Sequence, residues 1–549
     1  MENLEGSKKI IKDILNREYF FKVPEYQRPF SWDSENFEDL IFDLLDADHN
    51  QEYFLGTIVL HRRESDDIYD IVDGQQRMTT LMILFACLRD LIKDSDFKTE
   101  LHNKIKQAEN KVDGIPEKIR IEVRDRSIFK ELISEMEGTD VKKDIRQLPE
   151  PEWRYYKAIE VFKSQLTKLN EDQLQKFSQF ISQKCIIIYL ATTTFDDAFK
   201  LFTIVNDRGK QLRRIDVLKA KNIAPSIVAS ESVRLSLAQK WEEKEKLVGE
   251  DDFERVINNL RFIILEEKPY NDLLFEFEEK IFKKGKLGAG QAFIDEVCSY
   301  ADIFNNLFND LNYFEDYPNE IKINNLLFIM NNEFSSYEWR ACLMQYVKKF
   351  GNNEIEKFLH SLELLYLDGI IKGFNKDTRT SAFGRLMNVI NNAETATVVN
   401  DNEILDIDKN ELKSLLSGDV YGKNYTKYIL LRLELVTSEQ DVQQRFTAKS
   451  IEHVCPQTLR ENTVWRDWYT DESHEQWLHK LSNLVLLSKS KNSSSGNKDF
   501  MEKKTRYLAK RVSDYPCSIS VLTYAEWKPE DLEVRQELLL DKVLKSTFD

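Results

Sequence analysis

At 549 residues the chain exceeds what one hydrophobic core usually supports, so two or three domains are expected. Its composition, 42% hydrophobic and 32% charged, is that of a soluble globular protein, and no apolar run is long enough to cross a bilayer. The net charge of −17 excludes unspecific coating of nucleic acid but leaves room for DNA contact through a local basic patch.

Residues 1–9 carry no apolar signal region, so a cytoplasmic protein without a membrane partner is expected. Six scattered cysteines (Cys87, Cys185, Cys298, Cys342, Cys455, Cys517) include no Cys-x-x-Cys pair. They read as reduced packing residues and not as a disulfide frame or a zinc site.

The first informative segment is Val23-Pro24-Glu25-Tyr26-Gln27-Arg28-Pro29-Phe30-Ser31-Trp32. A ring, an amide and a guanidinium at Tyr26, Gln27 and Arg28 suit the grip of a nucleotide or a modified DNA backbone. Pro24 and Pro29 stiffen the segment that presents them. The alternative is that Tyr26 and Trp32 pack a turn.

Short β-like runs follow at Tyr53–His61 and Ile68–Val72. Between the second run and a long apolar-periodic segment, Met78 to Ile92, stands Asp73-Gly74-Gln75-Gln76-Arg77. The pattern predicts a strand, a tight turn and a helix. At such a junction the first helical N–H groups are unpaired and the dipole is positive, so an anion is welcome. Gly74 lets the backbone approach a ligand, and Arg77 can hold phosphate through two parallel bonds. Asp73 could bind magnesium, position water or cap the helix. The plainer reading is an ordinary strand–helix turn with a surface arginine.

A further β-like run, Cys185–Leu190, precedes Phe202–Leu212 and Asp216-Val217-Leu218-Lys219, in which Asn206, Arg208 and Lys219 could complete a phosphate site. Residues 226–436 are almost wholly helical in pattern, as at Phe253–Glu266, Tyr270–Lys283, Phe293–Asn309, Glu354–Lys372 and Tyr425–Glu434. Gly285 to Gly290 lacks the Gly-Lys-Ser/Thr ending of a P-loop and follows a helical segment, so it reads as a flexible loop.

The character changes again over 451–511. Ile451–Val454 and Leu484–Leu487 read as strands, and a polar loop, Ser488–Asn497, leads into a basic helix around Phe500–Lys510. From Lys489 to Arg511 eight Lys or Arg stand against two acids, opposite in sign to the whole chain. Glu452, His453, Asn483 and Asn492 fall within this strand–strand–helix order. A histidine at a strand end, near an acid and amides, suits metal-assisted phosphodiester cleavage: the imidazole takes a proton from water and a hard ion stabilises the phosphate. The plainer reading is a surface His–Glu pair.

The runs at 451–457, 481–487 and 491–497, with Phe500 and Lys503, resemble the HNH-type nuclease domain of GmrSD-like restriction proteins. The resemblance implies His453 as general base, Asn492 as a metal ligand, Asn483 in support, Glu452 as a second ligand and Lys503 at DNA phosphate. The segments at 23–32, 53–59, 73–77 and 202–219 resemble the ParB/sulfiredoxin-like domain of the same family. That implies a site for a nucleoside triphosphate, GTP or ATP, or a sensor of modified DNA, built from Tyr26, Gln27, Arg28, Asp73, Gly74, Gln75, Gln76, Arg77, Asn206, Arg208 and Lys219.

The expected fold is mixed α+β and predominantly helical. It comprises an N-terminal ParB/sulfiredoxin-like α/β domain (1–225), a helical middle (226–436) and a C-terminal ββα-metal HNH domain (437–549). The expected function is a modification-dependent or anti-phage DNA endonuclease using Mg2+ or Mn2+, its substrate double-stranded phage DNA. One HNH site per chain favours nicking unless the protein forms a homodimer. Two alternatives stay open: a nucleotide-switched DNA-binding regulator with an inactive HNH domain, and ParB-like partitioning. The second is disfavoured by the nuclease motifs and by the missing helix-turn-helix signal.

Overall fold

The computed structural model describes residues 4–63, 68–150, 152–205, 213–444, 446, 449–488, 496–508 and 515–548. The chain divides into two compact units, Met1–Gln239 and Lys240–Asp549. The helical stretch from residue 240 onward and the C-terminal strands, read from the sequence as separate regions, both fall within the second.

The first unit is built on a six-stranded sheet. Its strands are Glu5–Ile10 (β1), Phe20–Lys22 (β2), Tyr53–Arg62 (β3) and Ile68–Asp73 (β4). After a separate small pair, Lys106–Gln107 (β5) and Lys118–Ile119 (β6), come Ile121–Glu122 (β7) and Cys185–Thr192 (β8). The order across the sheet is β1-β8-β3-β4-β2-β7. β3 runs parallel to β8 and antiparallel to β4. The three runs of β-like sequence all form strands, each a residue or two longer than the pattern predicts.

Gly74 separates β4 from the helix Gln75–Leu91, the central element of this unit. Every residue from Met78 to Arg89 is buried in it. A helix buried all round belongs in the interior, which explains why its apolar residues are not confined to one stripe. Helices Ser34–Asp46 and Glu152–Leu166 and the strands contribute to the same core, with Phe37, Ile41, Ile58, Ile71, Phe85 and Phe162 all at 1% exposure or less.

The second unit is mostly helical. Glu250–Leu265, Ile355–Ile371 and Thr426–Thr437 lie where the three- and four-residue apolar spacing predicts helices, and Glu338–Phe350 adds another. Two predicted helices are less regular: Leu273–Phe275 continues as a π-helical turn, Glu276–Phe282, and Gln291–Phe304 continues as another, Asn305–Asn309. The helix Pro529–Val543 returns to pack against Thr426–Thr437 and against Leu481–Asn483. Arg432 fastens that return. Its guanidinium donates to Val543 O and to Lys545 O (2.7 Å) while forming a forked pair with Glu363 at 2.7 and 3.1 Å.

Lys449–His453 (β9) pairs antiparallel with Leu484–Ser488 (β10), His453 opposite Leu484. The insertion between them carries short helices Val464–Trp468 and Asp471–Leu478, and the helix Phe500–Leu508 follows. Trp465, Val485, Phe500 and Trp527 form the core beneath. All six cysteines are buried and unpaired. Among the described residues no helix is long and apolar enough to cross a membrane.

Candidate functional site

The sequence-predicted site residues gather in two constellations, one in each unit. In the first, Gly74 opens the helix with φ 92°, and a Cβ there would lie 2.6 Å from Ile58 Cγ2. Conformation and space both demand glycine. The first intrahelical bond runs from Met78 N to Gly74 O at 3.0 Å, so the N–H groups of Gln75, Gln76 and Arg77 lie ahead of the helical ladder.

Two of the three glutamines in the expected nucleotide site, Gln76 and Gln27, act as backbone clasps. Gln76 Oε1 accepts from Ser31 N (2.8 Å) and Trp32 N (3.3 Å), and its Nε2 donates to Pro29 O (3.1 Å). Gln27 Nε2 donates to Val72 O (2.7 Å) and Ile71 O (3.3 Å). Each amide reaches into the segment that carries the other, and so the Val23–Trp32 segment is locked to the Asp73–Arg77 turn.

Arg77 Nη1 donates to Thr57 O at 3.1 Å, and its guanidinium lies against Gly56, where a Cβ would stand 2.7 Å from Cζ. Gly56 sits at a β-bulge with φ 117°, which clears that space. Burial lowers the Arg77 pKa, opposed by Asp73. Burial likewise raises the Asp73 carboxyl, opposed by the Gly74 N–H and by Arg77. Tyr26 does not present a free ring. It is buried edge-on to Phe195 (5.4 Å) and tilted against Phe199 (6.0 Å), and its hydroxyl has no hydrogen-bond partner among the described residues.

Arg28 Nη2 donates to Asp216 Oδ2 at 3.4 Å, linking the Val23–Trp32 segment to the helix Arg214–Ile223, in which Lys219 is buried. Three of the predicted segments therefore meet. Asn206 and Arg208 lie outside the described residues. Arg124, which donates to Gln27 O, and Arg154, which donates to Ser31 O (2.9 Å), escaped the sequence reading. No local motif marks either one.

In the second unit His453 ends β9 and is 6% exposed. Its Nε2 is 3.3 Å from His479 Nδ1, and its Nδ1 is 3.2 Å from Gln457 Nε2. The Tyr421 ring meets His453 edge-on at 4.2 Å and stacks over His479 at 5.3 Å. Burial, then the neighbouring His479, Lys503 and His474, push the His453 pKa down to about 4. At neutral pH the imidazole is uncharged and able to accept a proton.

Successive strand residues face opposite sides, so Glu452 turns away from the His453 ring. Lys503, expected at DNA phosphate, is instead 1% exposed, its Nζ 2.7 Å from Glu452 Oε1 and 2.8 Å from His453 O. Two buried ions that pair satisfy one another better than either would alone. Glu452, expected on a metal, thus meets an ammonium. Among the described residues no three His, Cys, Asp or Glu gather as a metal-binding group. The described donors do not by themselves fit a divalent ion, and the other expected ligand, Asn492, lies outside them.

Asn483 is fully buried and fully bonded. Its Oδ1 accepts from Cys455 N (2.7 Å) and Trp527 Nε1 (3.1 Å), and its Nδ2 donates to Cys455 O and Leu478 O, both at 3.0 Å. It ties the chain after β9 to the chain before β10. His479, Gln457 and Tyr421 were not singled out in the sequence. The one available signal was the spacing of His479, four residues before Asn483.

The chain matches two family models. One, described as the GmrSD restriction endonuclease N-terminal domain, covers residues 8–223. The other, described as the GmrSD restriction endonucleases C-terminal domain, covers 406–542 and so takes in Tyr421 and Arg432 as well as the paired strands. No curated protein matches the chain.

Proposed function

Since the chain belongs to the GmrSD restriction endonuclease family and acts on DNA in defence against phage, we propose that its cutting centre is His453, within an HNH-type ββα unit. The observation that carries this reading is a buried imidazole at the end of β9, kept uncharged at neutral pH, beside the strand pair and helix of that motif. His453 takes a proton from water, the water oxygen attacks phosphorus, and the P–O bond to a deoxyribose oxygen breaks, that oxygen taking a proton from solvent as it leaves.

A divalent ion, Mg2+ or Mn2+, would supply positive charge at the phosphate if Glu452 and Asn492 held it, and Lys503 would first have to yield the carboxylate. Mutating His453 tests the centre directly: His453→Ala should fold and lose cleavage of plasmid DNA. Cleavage at the parent's rate would remove the assignment.

The Asp73–Arg77 turn, in the same proposal, binds GTP or ATP, or a sensed DNA backbone, and controls cutting. Support comes from Arg77, whose guanidinium is held over the Gly56 bulge beside the start of the helix Gln75–Leu91. Calorimetry with each nucleotide, on the parent and on Arg77→Ala, tests this part. Equal affinity in both would place nucleotide binding elsewhere.

A further inference from the structure

Building on the reading of His453 as general base, we propose that His479 is the residue that sets its tautomer and orientation, leaving Nδ1 as the nitrogen that takes the proton. The side-chain amide nitrogen of Gln457 lies 3.2 Å from His453 Nδ1. An amide NH2 only donates, so Nδ1 accepts, and the single proton of the neutral ring sits on Nε2. That proton points at His479 Nδ1, 3.3 Å away, which accepts it. His479 then carries its own proton on Nε2.

The two partners of His453 differ in permanence. Gln457 is exposed, so water can take its place on Nδ1 at small cost. His479 is held from several directions. Its carbonyl accepts from Val420 N (3.0 Å) and Tyr421 N (3.2 Å), and its ring lies parallel to that of Tyr421, at 9°. The residues on either side are tied as well: Leu478 O accepts from Asn483, and Lys480 Nζ donates to Ser417 O at 2.8 Å. His453 Nε2 therefore faces a fixed acceptor while Nδ1 faces a replaceable donor.

When Nδ1 takes a proton from water, the ring becomes a cation, and its Nε2–H bond to the His479 lone pair strengthens. His479 thus does for this imidazole part of what a carboxylate does for the histidine of a Ser-His-Asp triad: it fixes the tautomer and the orientation of the ring. The Glu452 carboxylate does not take this part, because it is committed to Lys503 on the other face of the strand.

The test is the tautomer itself, read on the full chain labelled with 15N only in histidine. Long-range proton–nitrogen correlation distinguishes the two forms of a ring, and His453→Ala assigns the signals by their loss. His453 is expected as the Nε2–H form in the parent. His479→Leu should give mixed or Nδ1–H signals. His479→Asn, whose Oδ1 stands near the lost Nδ1, should restore the Nε2–H form. With DNA, His479→Leu should lower kcat roughly 10- to 100-fold with KM nearly unchanged, and His479→Asn should recover most of that loss. An Nδ1–H tautomer in the parent, or an unchanged tautomer and kcat in His479→Leu, would overturn the proposal. If instead His453→Ala cut like the parent, the general-base reading would fall, while the spectra would still decide the pairing.

Discussion

Lys503 Nζ and Glu452 Oε1 meet at 2.7 Å in the interior, the lysine reaching from the helix Phe500–Leu508 and the glutamate from β9. Removing one partner strands the other charge out of water. Lys503→Met should therefore destabilise the protein by about 3–5 kcal/mol, with the double variant Glu452→Leu/Lys503→Met recovering much of that loss. Chemical denaturation measures both. A surface phosphate contact at Lys503 would instead leave stability within about 0.5 kcal/mol.

Glu434 makes the second unit sensitive to pH. Burial raises its carboxyl to about 7, although Ser518 and the Cys517 and Ser518 N–H groups oppose the rise. A carboxyl raised in the folded state binds its proton more tightly there than in the unfolded chain. Its stabilising contribution is full below about pH 4.5 and is lost as pH rises through about 7. Glu434→Gln should flatten stability across that window by up to about 3 kcal/mol. An unchanged slope of unfolding free energy against pH would contradict the assignment.

Gly56 and Gly74 set the N-terminal turn. Gly74→Ala forces a Cβ against Ile58 at a positive φ and should cost about 2–4 kcal/mol. Gly56→Ala drives a methyl into the Arg77 guanidinium, so it should weaken nucleotide binding beyond its effect on stability. Calorimetry at matched folded fraction separates the two effects.

The Tyr26 hydroxyl is buried with no partner among the described residues. Tyr26→Phe removes that uncompensated group and should stabilise the free protein by about 1 kcal/mol. A loss of stability in the ligand-free melt would mean that the hydroxyl is bonded.

The strand–turn–helix at Ile68–Leu91 was readable because the apolar period changes on either side of a glycine. His453 on a strand end was readable for a similar reason: Pro456 stops a short β-branched run. The roles of Gln27 and Gln76 were not. An amide that clasps backbone and one that binds a ligand look alike in sequence, and only the sheet brings Val72 to Gln27. Lys503 belongs to a basic run and reads as solvated. Its buried partner lies 51 residues earlier, a separation no local pattern spans. His479 sits in the insertion between the strands, and only their pairing turns it toward His453.

The measurement that bears most directly on the role of His453 is plasmid cleavage by the parent and by His453→Ala at equal folded fraction. With His453 as general base, the variant should melt like the parent and lose roughly 10²–10⁴-fold in cleavage rate. Cleavage at the parent's rate by a folded His453→Ala protein would contradict it.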